Sequence, residues 1–83
     1  MGMRLLVDSL PRSFTVEKLC ALFASYGQVL SAQVIKIPDQ PVTLIGTVEM
    51  ATEQDADRAM TALHGTIIEN EMILVFKEPQ QPD

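Results

Sequence analysis

At 83 residues the chain has room for one compact domain, small enough that folding buries only about 60 to 65% of its extended surface. A composition of 47% hydrophobic and 20% charged residues is that of a globular protein and argues against general disorder. Six basic against eleven acidic residues leave a net charge of −5, so the overall field does not attract a polyanion and any nucleic acid has to be held locally.

In chain order, residues 4–10 predict a strand that ends at Pro11, a residue unable to donate to a sheet ladder. Thr15 is a suitable N-cap. Val16, Leu19, Leu22, Phe23 and Tyr26 then recur at helical spacing before Gly27, which predicts an amphipathic helix over 15–26. Residues 29–37 read as a second strand and 42–50 as a third, paired with it through the turn Pro38-Asp39-Gln40-Pro41. Thr52 and Asp55 have the spacing of a capping box, with Asp in the place of Glu or Gln. After them Ala56, Ala59, Met60 and Leu63 form the buried stripe of a second helix that stops at Gly65. The last strand is expected over 72–76, which assigns 1–78 to the domain and 79–83 to a disordered polar tail.

The apolar run Leu5-Leu6-Val7 is cut off by Asp8, too short for a secretory signal, and no run approaches the roughly 18 apolar residues of a membrane span. The single cysteine, Cys20, forms no internal disulfide. A soluble protein in the reducing cytoplasm is expected.

Strand, helix, strand, strand, helix, strand is the split β-α-β order of the ferredoxin-like fold, an α+β plan with a four-stranded antiparallel sheet and two helices on one face. Strand alternation then sorts the side chains. Leu5, Val7, Leu19, Phe23, Val34, Val48, Ala56, Ala59, Met60, Leu63, Ile73 and Val75 are expected in the core. Arg4, Leu6 and Asp8, Gln33 and Ile35, Thr43, Ile45, Thr47 and Glu49, and Leu74 and Phe76 are left on the open face. Leu6, Ile35, Ile45, Leu74 and Phe76 there compose an apolar patch, and patches of that size mark contact surfaces.

Several of these residues carry a resemblance. Leu5-Leu6-Val7-Asp8-Ser9-Leu10 resembles the hexamer of an RNA-recognition motif, and Tyr26-Gly27 and Val29 resemble its first helix exit. Ala56, Ala59, Met60, Leu63 and Gly65 follow its second helix, and Gly46-Thr47-Val48-Glu49-Met50 is similar to the close of its octamer. The likeness runs from about residue 4 to residue 78. It implies the same fold and an open face on which bases stack on aromatic rings. The positions that match those rings are Leu6, Ile45 and Thr47, and Thr43 matches the basic residue that opens the octamer. None is aromatic or basic. Each lost stacking platform removes about 1 to 3 kcal/mol, so RNA binding of the ordinary kind is weakened by several kcal/mol. The residues that still favour RNA are Arg4, Leu6, Arg12, Lys36, Ile45, Thr47, Phe76 and Lys77.

Other candidate chemistry reads as structural. Cys20 lies beside the buried stripe of the first helix, and His64 stands at a helix C-terminus, where an imidazole suits the dipole, so neither points to nucleophilic catalysis. One Cys and one His do not make a zinc site. Glu53, Asp55 and Asp57 stabilise the first turns of the second helix, and Gly46 reads as close backbone packing within a strand. No cofactor, metal or membrane is implied. The favoured reading is a non-catalytic module that contacts a protein partner, or itself as a homodimer, through Leu6, Ile35, Ile45, Leu74 and Phe76. The alternative is single-stranded RNA binding, weak or by an unusual surface. A small-molecule-sensing domain comes third.

Overall fold

The computed structural model describes residues 2–38 and 40–78, and the backbone alone at residues 37 and 40–42. Along the chain the elements are β1 (Met3–Pro11), α1 (Val16–Ala24), β2 (Val29–Ile37), β3 (Gln40–Met50), α2 (Glu53–Leu63), β4 (Ile67–Ile68), β5 (Glu71–Met72) and β6 (Leu74–Lys77). The main sheet has the order β2-β3-β1-β6 with every neighbouring pair antiparallel. Both helices pack on one face of it, as the chain order implies. None of the described helices is long and apolar enough to cross a membrane.

Each helix starts where a threonine hydroxyl replaces a missing backbone partner. Thr15 Oγ1 accepts from the Lys18 N–H at 3.2 Å, and Thr52 Oγ1 accepts from the Asp55 N–H at 3.1 Å. The buried faces of the helices carry Leu19 and Phe23 on α1 and Ala56, Ala59 and Leu63 on α2. They close over Leu5, Val7, Val48, Ile73 and Val75, all but withdrawn from solvent. Of the expected core residues, Val34 and Met60 are only half-buried, while Leu10, Phe14, Leu44 and Met50 join the core.

Leu10 gets there by a bulge. Val7 faces Gly46 and Leu10 faces Leu44, so β1 spends one more residue than β3 over that interval. The extra residue is absorbed at Ser9, whose φ is 64°, and its N–H is bonded to Asp8 Oδ1 at 2.8 Å. Downstream the alternation is reset, so that Leu10 turns inward opposite the buried Leu44, and Pro11 after it is buried as well. Gly46 lies under this bend. A Cβ there would stand 2.7 Å from a Leu10 methyl and 2.9 Å from a Leu19 methyl, which is the close packing expected of that glycine.

The C-terminal region departs from the single strand expected over 72–76. Ile67–Ile68 and Glu71–Met72 pair as a small hairpin, and only Leu74–Lys77 joins the main sheet. The hairpin turns on Glu69 and Asn70, both with positive φ (50° and 71°), as a two-residue type I′ turn requires. This detour brings residues 64–66 alongside the outer edge of β6 and its approach. Gly65 N–H bonds Ile73 O at 2.8 Å, and Ile73 N–H bonds Thr66 O at 2.9 Å. One member of the expected turn, Asp39, and the expected tail, 79–83, lie outside the described residues.

Candidate nucleic-acid interface

Pairing across the sheet sets the open face in three rows. The first runs Ser31, Glu49, Arg4 and the end of β6. Ser31 Oγ donates to Glu49 Oε1 at 3.3 Å, and Arg4 Nε lies 3.8 Å from Glu78 Oε2. The middle row is Gln33, Thr47, Leu6 and Phe76. The third begins with the directly opposed pair Ile35 and Ile45, crosses the bulge at Asp8 and Ser9, and ends at Leu74, the partner of Asp8.

Leu6, Ile35, Ile45, Leu74 and Phe76 therefore do share one face, with Thr43 and Thr47. Their exposure is uneven. Ile35 and Phe76 are 47% and 46% exposed, whereas Leu6, Ile45 and Leu74 are half-buried among their neighbours. The middle of the face is a shallow aliphatic floor, and its one described ring stands at the β6 edge.

The cations fall elsewhere than the RNA reading would place them. Lys77 shares the phase of Val75 and turns toward the helices, where its ammonium is ion-paired with Asp57 and, at 3.7 Å, with Glu53. Hydrogen bonding to Asp57 is the main cause that holds its pKa above the ordinary 10.5. Lys36 lies in β2 opposite the buried Leu44, hence on the helix side, and Arg12 is exposed in the turn after β1. Of the described basic residues Arg4 alone stands on the open face, shared with Glu78 and directly opposite Glu49, and Asp8 adds a second outward carboxylate two rows away.

His64 is the C-cap residue of α2, its N–H bonded to Met60 O at 2.9 Å. Its imidazole serves the sheet instead of the helix end. Nδ1 lies 3.0 Å from the Val75 nitrogen and 3.1 Å from the Val75 oxygen. A backbone N–H is a fixed donor, so Nδ1 is assigned as its acceptor, which puts the proton of the neutral ring on Nε2. The imidazole also meets Phe76 edge-on, with centroids 5.3 Å apart at 71°. That leaves Nδ1 committed to the sheet, while Cys20 is half-buried on α1. The sequence pointed to His64 only as a helix cap. Its role at the edge depends on a strand that lies beyond the hairpin, and no local signal announces it.

The family model for the RNA recognition motif matches residues 5–74. The chain belongs to the RNA recognition motif family. Among curated relatives, this RNA recognition motif is 35% identical over 72 residues to small ribosomal subunit protein cS22 of Arabidopsis thaliana, covering 86% of this chain and 28% of that protein. It is 35% identical over 79 residues to polyadenylate-binding protein 2 of the same plant, covering 95% of this chain and 13% of that one. The chain thus spans less than a third of the length of either relative. Among solved structures, RNA-binding protein PG1 superposes with a TM-score of 0.83 at 30% identity, over 98% of this chain and 99% of that one. The Sxl-lethal protein in complex with RNA has the same fold, with a TM-score of 0.83 at 23% identity, over 100% of this chain and 50% of that one.

Proposed function

We propose that this RNA recognition motif is a non-catalytic module that binds single-stranded RNA weakly across its open sheet face. Phe76 would serve as its stacking ring in place of the three central positions that lack one. The observation that carries the reading is the Phe76 ring, nearly half exposed at the end of the row that includes Leu6 and Thr47. Support comes from membership of the family, from a relative named as a polyadenylate-binding protein and from a similar fold solved as a protein–RNA complex. The affinity is low for physical reasons. One ring supplies roughly 1 to 3 kcal/mol of stacking, Arg4 is shared with Glu78, and Asp8 and Glu49 repel phosphate.

The expected dissociation constant for mixed single-stranded oligonucleotides at physiological salt is weaker than about 100 μM. Titration of nitrogen-labelled protein should shift the amides of Leu6, Thr47 and Phe76 together, and Phe76→Ala should abolish the shifts. Amides that stay still at millimolar RNA would remove this reading.

The opposed pair Ile35 and Ile45 favours a second reading, in which the same face meets a protein, most simply a second copy of the chain. Five large apolar side chains would yield on the order of 7 to 15 kcal/mol gross against an association cost of roughly 4 to 15, hence micromolar affinity at best.

A further inference from the structure

Beyond the open face, at the outer edge of β6, lies a cavity of about 380 Å³ lined by Met60, Thr61, His64, Val75 and Phe76. It is widely open to solvent, a shelf beside the strand and not an enclosed chamber. We propose that this cavity seats one nucleobase of single-stranded RNA as the strand leaves the sheet over β6. The base lies against the Phe76 ring and accepts a hydrogen bond from His64 Nε2. The inference rests on the RNA reading above and extends its binding path around the sheet edge.

Three observations converge on a base as the occupant. The Phe76 ring is nearly half exposed and is braced edge-on by the imidazole, so it is held as a platform before any ligand arrives. The bond from Val75 N–H fixes both the orientation and the tautomer of His64, which leaves Nε2–H on the far side of the ring as a donor with no partner among the described residues. A donor beside an aromatic platform fits the carbonyl edge of a pyrimidine. Arg58 then supplies the charge that the open face lacks. It stands one helical turn before Thr61, is exposed, and makes no ion pair among the described residues, which suits it to the phosphate of the seated nucleotide. Of the remaining lining, half-buried Met60 offers an apolar wall to the base.

The test is a titration of nitrogen-labelled protein with an oligouridine of about eight nucleotides, repeated with Thr61→Glu and His64→Ala. RNA should shift Thr61 and His64 along with Leu6 and Thr47. Each variant should weaken binding by about fivefold or more, the lower limit for losing one stacked base. Thr61 is exposed, so Thr61→Glu should keep the parental melting temperature; it carries the test if His64→Ala proves unstable. Shifts confined to the sheet face, with Thr61→Glu binding as well as the parent, would overturn the edge pocket and leave the RNA reading standing. Shifts nowhere would overturn both.

Discussion

Lys77 and Asp57 tie the last strand to the second helix: the ammonium of β6 is ion-paired with the carboxylate in the early turns of α2, on the side of the sheet away from the open face. A cation that stands next to Phe76 in sequence is thereby withdrawn from any ligand lying on Phe76. Lys77→Met should leave RNA affinity within twofold of the parent. The same pair has a pH signature. The folded-state pKa of Lys77 is raised above 10.5, so its stabilisation is fully present below that value and is lost as pH climbs through the raised one. In thermal melts through the alkaline range the parent should lose more stability than Lys77→Met, and parallel curves would show that the pair contributes nothing.

Gly46 leaves the space into which Leu10 and Leu19 close. A branched side chain there has to displace both methyl groups, and overpacking of this kind costs typically 1 to 3 kcal/mol. Gly46→Val should lower the melting temperature by roughly 4 to 8 °C for each of those kilocalories. A variant as stable as the parent would mean that the bend at Ser9 yields more readily than its hydrogen bond to Asp8 suggests.

Val48 tests strand phase. Its side chain is wholly buried between the sheet and the helices. Val48→Asp should unfold the domain by placing an unpaired charge there. Circular dichroism reads the outcome, and a melt within a few degrees of the parent would contradict the assignment of every residue to its face.

Ile45 tests the second reading of the open face. It is half-buried beside Ile35 in the single chain, so Ile45→Glu should keep the fold while placing a charge in the middle of any self-interface. Sedimentation across a concentration series is the measurement. A parent that stays monomeric at several hundred micromolar removes self-association, and a dimer untouched by Ile45→Glu moves it to another surface.

The alternation of Leu5 and Val7 with Arg4, Leu6 and Asp8 and the threonine caps were legible because they depend on neighbours a few residues away. So was the open face on β2, β3 and β6. What escaped were features that break a local rule or span the chain. Ser9 takes a positive φ without being glycine, and it reverses the expected phase of Leu10. The turn at Glu69-Asn70 lacks the Asn-Gly or Asp-Gly pair that signals a type I′ hairpin. The partners of Lys77 and His64 are set by which elements end up adjacent, and neither residue shows this in its own stretch of sequence.

The covered edge of β6 makes the sheet one-sided with respect to growth. Gly65, Thr66 and His64 occupy the hydrogen-bonding groups along Ile73 and Val75, whereas no described backbone bond lies on the outer side of β2. A strand added at β2 finds an open ladder; one added at β6 finds the groups of Ile73 and Val75 already bonded. Strand pairing between folded copies is thereby directed to β2 and away from the stretch around Ile73 and Val75.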